Sequence, residues 1–347
     1  MTLHFLLKAE ARTLSPLQVA QMSEERAVGL FRLLRWGDAK EIPCPHCGVV
    51  HRHYWLEKRQ VWKCAACREG FSVTTKTKFA YHKLPLRVYL YAVSVFVNAV
   101  KGISAMQMAR DLGIQHKSAF VILGKVREAL METRDETPLT GQVHMDGAYV
   151  GGKMRPENKK EDRVDRRLAE NQSPDKRCIL VMRQNYTLEE LLKAPETAGA
   201  KKTLTFILKK ENQADIGKLA PEFIAQGARI SADESDAYDL LHAKYDVRRV
   251  NHSVEYRAAD GTTNNQAESF FSRFRRLQIG QIHKVTAKYL GDYANEIAYR
   301  EDTRRTPNGS IFFDVLKRCA QTLTSRDWCG YWQGNHRYGD GLSLVTA

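Results

Sequence analysis

Three acidic residues stand where a carboxylate could be held on rigid backbone. Asp146 ends an alternating apolar stretch typical of a short strand, and Asp233 ends a second such stretch, Gly227–Ala232. Glu268 opens a predicted helix with apolar residues at i, i+4 and i+7, and Arg275 shares its face seven residues later. Carboxylates suit Mg²⁺, and two such ions about 4 Å apart clamp the oxygens of phosphoryl transfer. The pattern therefore favours phosphoryl-transfer chemistry, with Arg275 placed to hold a phosphate.

Each acidic residue also has a local alternative. Asp146 and Gly147 taken alone indicate a hairpin turn. Asp233 fits a helix N-cap, and Asn265 with Glu268 forms a near capping box. These alternatives lose weight when the three residues are considered together, because one metal centre would account for all of them.

Four cysteines form two close pairs separated by sixteen residues, in the pattern CxxC–x16–CxxC. This spacing predicts a tetrahedral zinc site, because two thiolates on each of two tight turns can meet at one ion. The intervening segment is rich in strand formers, as in a zinc ribbon, and is too small to bury a core of its own. The ribbon could be purely structural or could contact nucleic acid. The predicted ligands are Cys44, Cys47, Cys64 and Cys67.

Two predicted helices, Ser104–Leu112 and His116–Ala129, are joined by a short turn at Gly113-Ile114. This is the spacing of a helix-turn-helix motif, although an ordinary helical hairpin in a small bundle would look similar. In the motif, the start of the second helix faces the DNA groove. The residues there are Gln115, His116, Lys117 and Ser118.

The composition favours a polyanionic partner. The chain has 347 residues, with 54 Lys and Arg against 40 Asp and Glu, for a net charge of +14, which points first to nucleic acid. The first seventeen residues lack the pattern of a signal peptide. The apolar stretch Val88–Val100 is too short to span a bilayer and predicts a buried helix, so no membrane partner is expected. The charge run Pro156–Lys176 predicts a solvated, mobile loop, with DNA contact as its alternative role.

In combination, these motifs resemble bacterial insertion-sequence transposases that carry an N-terminal zinc ribbon and a DDE-type core, the group related to the Merlin DNA transposons. The resemblance covers roughly Leu33 to Arg300, most of the chain. The matching stretches are Cys44–Cys47, Cys64–Cys67, His144–Lys153, Asp233 with Tyr238, Val250–His252, Asn265–Arg275, His283 and Tyr289–Arg300.

The resemblance implies a multidomain chain of mixed α+β and α/β class, with a ribonuclease-H-like core whose mixed sheet carries the first two aspartates. We predict five segments from the motifs. They are an N-terminal helical segment (1–40), the zinc ribbon (41–80), a helix-turn-helix DNA-binding domain (81–135), the catalytic core (140–305, including the charged loop 156–176) and a C-terminal tail (306–347).

By the same resemblance, Asp146, Asp233 and Glu268 form the catalytic triad and hold two Mg²⁺ or Mn²⁺ ions, while zinc is structural. Some relatives use asparagine as the third ligand, so Asn264 or Asn265 could assist or replace Glu268. Two stretches depart from the usual family pattern without touching the triad: Asp260–Asn265 and Glu301-Asp302.

The expected function is a DNA transposase that cleaves and joins insertion-sequence ends. Its partners would be double-stranded DNA, as terminal inverted repeats and target, and at least one further copy of the chain, in the bacterial cytoplasm at the nucleoid. Two alternatives stay open. One is a non-catalytic DNA-binding regulator or domesticated transposase, and the other is a ribonuclease-H-type nuclease that cleaves without joining.

Overall fold

The computed structural model of the chain describes residues 4–152, 157–165, 168, 171, 173–194, 199–250, 263–339 and 341–343. It forms two compact units. The first comprises Met1–Arg134 together with Arg305–Arg337, and the second comprises Asp135–Arg304 together with Tyr338–Ala347.

The first unit opens with two helices, α1 (Pro16–Ala20) and α2 (Glu24–Trp36). Apolar spacing over Ser15–Trp36 predicts helical structure, and the structure places two helices there, each beginning at a serine cap. Ser15 forms a capping box with Gln18, and the Ser23 hydroxyl accepts a hydrogen bond from the Arg26 N–H.

A small β region follows. Its strands are β1 (Ile42–Pro43), β2 (Val50–His51), β3 (Tyr54–Leu56), β4 (Val61–Lys63) and β5 (Gly70–Phe71). Strands β1 and β2 form an antiparallel pair, and β3, β4 and β5 form a three-stranded antiparallel sheet. The buried apolar cluster here holds only four residues, two of them cysteines. A core this small needs another source of stability.

Three further helices complete this part of the unit: α3 (Leu86–Asn98), α4 (Ala105–Leu112) and α5 (His116–Glu132). Helix α3 is buried, as predicted, and no helix of the described residues has the length and apolar character needed to cross a bilayer. The Ser104 hydroxyl caps α4, and Gly113 ends it in the left-handed conformation (φ +64°) that glycine adopts at low cost. The chain therefore turns into α5 within three residues.

The second unit is built on one five-stranded mixed sheet. Its strands are β6 (Gln142–Val150), β7 (Arg177–Asn185), β8 (Ala200–Leu208), β9 (Arg229–Asp233) and β10 (Asp246–Val250). Their order is β10-β9-β6-β7-β8, with β6, β7 and β8 antiparallel and both β9 and β10 running parallel to β6. The mixed sheet with its two aspartate-bearing strands is the one the sequence predicts.

Helices cover both faces of this sheet. Besides the short α6 (Leu188–Lys193), the unit has α7 (Gln213–Phe223), α8 (Asn265–Leu277) and α9 (Ala287–Asp302). One buried cluster joins alternate strand residues such as Val143 and Met145 to α7, and the other joins the opposite strand face to α8 and α9. Alternation along β6 thus decides which side chains face α8.

The predicted Asp-Gly hairpin is wrong. Strand β6 runs unbroken through Asp146 and Gly147, because β7 pairs with it from Val143 to Val150. A local turn signal is overridden by eight consecutive cross-strand partners.

After the second unit, helix α10 (Asn308–Gln321) and the residues that follow return to the first. Trp328 is buried against α5, where its indole fills the space left by Gly124 and packs 5.1 Å from Phe120. The aromatic C-terminal stretch therefore packs on a helix of the predicted DNA-binding segment.

Candidate active site

Asp146 and Asp233 stand at matching positions on neighbouring parallel strands. The register pairs Gln142 with Arg229 and His144 with Ser231, where the pairing ends, and each aspartate follows two residues later on its strand. Side chains two residues apart share a sheet face, so both carboxylates lie on the same face, and the charge of Asp233 adds to burial in raising the pKa of Asp146. Each aspartate accepts a hydrogen bond, 2.8 Å long, from the N–H of the residue that follows it. These bonds hold both carboxylates in the same local geometry.

Helix α8 begins on the face to which these aspartates point. The Asn264 side chain is buried, and its amide donates to the Met145 carbonyl at 3.0 Å. One residue back on β6, the His144 ring accepts from the Gln266 N–H at 3.4 Å. The start of α8 is therefore tied to the strand that carries Asp146.

Glu268 follows one turn into α8, half-buried, with its N–H donating to the Asn264 carbonyl. Of the two asparagines considered as ligands, Asn265 is exposed, whereas Asn264 is the buried side chain that joins α8 to β6. The three acidic groups are more widely spread than a mononuclear site. Among the described His, Cys, Asp and Glu residues, only the four cysteines form a group of three or more whose possible ligand atoms all lie within 4.8 Å of one another.

Electrostatics link the acidic residues into one centre. Burial, together with the charges of Glu211, Asp233 and Glu268, raises the pKa of Asp146 to about 7. A carboxylate shifted this far is held among like charges in a poorly solvated place. A bound divalent cation would remove that penalty, so the electrostatics fit a metal centre.

Glu211 is a further acidic residue whose charge adds to burial in raising the pKa of Asp146, and the sequence motifs did not point to it. It follows β8 and precedes α7, and its carboxylate lies over Gly147, where an added Cβ would come within 2.6 Å of it. The buried Tyr238 hydroxyl donates to the Glu211 Oε1 at 2.6 Å. Tyr238 was already among the residues that carry the resemblance, and this hydrogen bond accounts for its position.

A buried ionic network holds α8 and α9 on the sheet. Arg183 on β7 is fully buried, donates to the Gln266 carbonyl at 2.7 Å, and pairs with Glu301 at 3.4 Å. Arg273 of α8 pairs with the same carboxylate at 2.6 Å. Asp302 accepts two hydrogen bonds from Thr203 on β8. The Glu301-Asp302 pair, a departure from the family pattern, therefore anchors the helix that carries Glu268.

We predict that Glu301→Gln destabilises the second unit by about 3 kcal/mol, because it leaves the buried Arg183 without its charged partner. Urea unfolding followed by circular dichroism measures this. Glu189→Gln is the control, since its pair with Lys193 is almost fully exposed and should not shift the transition. An unchanged midpoint for Glu301→Gln would contradict the anchoring role.

The four predicted zinc ligands converge. The Cys44–Cys67 and Cys47–Cys64 sulfur distances are 3.8 and 3.7 Å, and all four sulfurs lie within 4.8 Å of one another. A Zn–S bond of about 2.3 Å requires tetrahedral sulfur separations of about 3.8 Å, whereas a disulfide would need about 2.05 Å. Backbone N–H groups of His46 and Ala66 also point at two of the sulfurs. The cluster fits a structural zinc ion.

Some of the predicted DNA-contacting residues are exposed, whereas one packs against aromatic rings. Gln115 and His116 are exposed at the start of α5. The Lys117 ammonium instead lies over the rings of Tyr331 and Trp332, 5.3 and 4.4 Å from their centroids. In the second unit, Arg275 is exposed on α8 and forms no ion pair with a described residue. In the charged loop, residues 157–165 are all exposed.

Comparison with known protein families gave two matches. Residues 138–302 match the ISXO2-like transposase domain, and residues 22–69 match the transposase zinc-ribbon domain. Searches among curated proteins and among solved structures returned no match. The first match spans the sheet with α8 and α9, and the second spans the cysteine cluster.

Proposed function

We propose that this chain, which belongs to the zinc-ribbon DDE transposases of insertion sequences, cleaves and joins DNA ends by two-metal-ion phosphoryl transfer. The observation that carries the proposal is that Asp146 and Asp233, each two residues beyond the last β6–β9 pair, lie on the sheet face covered by the helix that bears Glu268. The mixed sheet with an acidic helix across it also supports a ribonuclease-H-like core.

In this proposal Asp146, Asp233 and Glu268 would together hold the two cations. Bound Mg²⁺ or Mn²⁺ ions would activate water and stabilise charge on the attacking and leaving oxygens. Arg275, two helical turns beyond Glu268 and exposed, is placed to hold a phosphate of the bound strand. After strand cleavage, the same residues would position a freed 3′-hydroxyl against target DNA.

The first unit would recognise the ends of the element. Helices α4 and α5 with their three-residue turn have the order of a helix-turn-helix, and Gln115 and His116 are exposed where that motif meets a groove. Lys117, held over two aromatic rings, would contact a phosphate. The net charge of +14 favours both contacts. Because two DNA ends must be paired before joining, we propose that at least two copies of the chain assemble on DNA.

The test is a strand-transfer assay with full-length protein, Mg²⁺, and DNA that carries the inverted repeats flanking the gene. We expect joined products from the wild type and none from Asp233→Ala or Glu268→Ala, each checked for folding by circular dichroism. Full activity in either variant would contradict the proposal. End-specific binding without metal-dependent nicking would favour a regulator, and hydrolysis without joining would favour a nuclease.

A further inference from the structure

We propose that Glu211 is a fourth carboxylate of the acidic centre and helps to hold its divalent cation. The inference rests on the proposed function, since it adds a ligand to the metal centre formed by Asp146, Asp233 and Glu268. Glu211 lies outside all three elements that carry those residues, in the connection between β8 and α7.

The first argument is steric. Gly147 directly follows Asp146, and an added Cβ would meet the Glu211 Cδ and Oε1 at 2.6 Å and Oε2 at 2.7 Å. Gly147 lies in extended strand, so its backbone conformation does not require glycine. The missing side chain instead leaves room for the Glu211 carboxylate beside the strand, one residue after Asp146 and on the α7 side of the sheet, whereas the Asp146 position faces the α8 side.

The second argument is positioning. The Glu211 Oε1 accepts a hydrogen bond from the Tyr238 hydroxyl at 2.6 Å, and the Glu211 N–H donates to the Tyr149 hydroxyl at 3.1 Å. Tyr238 is fully buried and therefore rigid. Two tyrosines from different elements thus fix both the backbone and the carboxylate of Glu211.

The third argument is charge. Glu211 forms no ion pair with any residue in the described ranges, although burial raises its pKa and the charge of Asp233 raises it further. Poorly solvated carboxylates are normally paired with a cation or coordinate a metal. The charges of Asp146 and Asp233 repel the Glu211 carboxylate. The cations of the proposed two-metal centre would compensate these negative charges.

The test measures Mn²⁺ binding to the full-length protein by electron paramagnetic resonance, which does not depend on catalysis. We expect Glu211→Gln to weaken Mn²⁺ binding about 10- to 100-fold, because Gln keeps the size and the Tyr238 hydrogen bond but loses the charge. Glu222→Gln, an exposed change on α7, should bind like the wild type. A purely structural Glu211 would lower the thermal midpoint of the metal-free variant and leave Mn²⁺ affinity unchanged, which would overturn the inference.

A second variant, Gly147→Ala, tests the position of the Glu211 side chain without altering any carboxylate. Gly147→Ala should displace the Glu211 side chain and weaken Mn²⁺ binding to a similar extent in the wild type, but add little in a Glu211→Gln background. Additive effects of the two changes would contradict the proposed contact. If the proposed metal centre itself were wrong, Asp146→Asn would also bind Mn²⁺ as the wild type does. If only the role of Glu211 were wrong, Asp146→Asn would still weaken Mn²⁺ binding.

Discussion

Asp146→Asn is expected to abolish DNA strand cleavage while raising the melting temperature of the protein in the absence of divalent cation. The loss of activity should be about 1000-fold or more, because several kcal/mol of metal-dependent stabilisation are lost and each 1.4 kcal/mol changes the rate tenfold. The gain in stability follows from burial and from the charges of Glu211, Asp233 and Glu268, which disfavour an ionised Asp146. Asparagine keeps the size of the side chain without the charge.

The effect of Asp146 on the stability of the folded protein depends on pH, and its sign follows from the shifted pKa. The pKa of Asp146 is raised to about 7 in the folded protein, above the value of about 3.9 expected in the unfolded chain. Between these two values the folded state binds more protons than the unfolded state, so this group makes stability fall as pH rises. The stabilisation by Asp146→Asn should therefore be small near pH 4, grow through pH 7, and level off above it.

Thermal unfolding at several pH values, without and with saturating Mg²⁺, measures both effects. Added Mg²⁺ should stabilise the wild type by mass action and leave Asp146→Asn unchanged. Glu222→Gln serves as the control for loss of one exposed negative charge on the same unit. A lower melting temperature for metal-free Asp146→Asn at pH 8 would show that the ionised carboxylate stabilises the fold, contrary to this account.

Strand periodicity made the central pair of the candidate site predictable. Asp146 and Asp233 each end an alternating apolar stretch, and a parallel register then places them at matching positions on the same sheet face, two residues beyond the last cross-strand pair. The local turn signal of Asp146 and Gly147 pointed the other way. It failed because β7 pairs with β6 from Val143 to Val150, an interaction between residues 27 to 41 positions apart that local sequence does not reveal.

Glu211 could not be found in the same way. It stands in a charged connection after Lys209 and Lys210, which resembles any solvated loop. Its importance comes from a space above Gly147 and a hydrogen bond from Tyr238, both contributed by distant parts of the chain. The available signals were a glycine inside a strand, which indicates close approach of another group, and a tyrosine placed near Asp233.

The Glu301-Asp302 pair illustrates a different limit. Compared with the family pattern it looked like a departure without consequence, since it lies beyond the triad. In the folded chain Glu301 compensates the buried Arg183, and Asp302 binds Thr203. A buried arginine in the middle of a strand requires an acidic partner, but sequence alone does not say which one.

The second large effect is expected at the cysteine cluster. Cys64→Ser should lose the zinc ion and unfold the β region of the first unit, because structural zinc contributes roughly 10–16 kcal/mol to folding in modules of this kind. The apolar core there is too small to compensate. Trp62 should report the change directly, since its ring packs 5.8 Å from Phe71 and 4.4 Å from Trp55. We expect a red-shifted tryptophan emission and loss of the near-ultraviolet dichroism.

The tryptophan emission reports on the first unit and not on the second, because of where the tryptophans lie. The sequence has five, Trp36, Trp55, Trp62, Trp328 and Trp332, and all belong to the first unit. Cys329→Ser is the matched control, because its sulfur lies outside the cluster, and it should retain one zinc ion per chain. Mn²⁺ binding by the second unit should survive in Cys64→Ser. Retention of zinc and of native tryptophan emission in that variant would contradict a four-cysteine site, whereas loss of Mn²⁺ binding would show that the acidic centre depends on the folded β region.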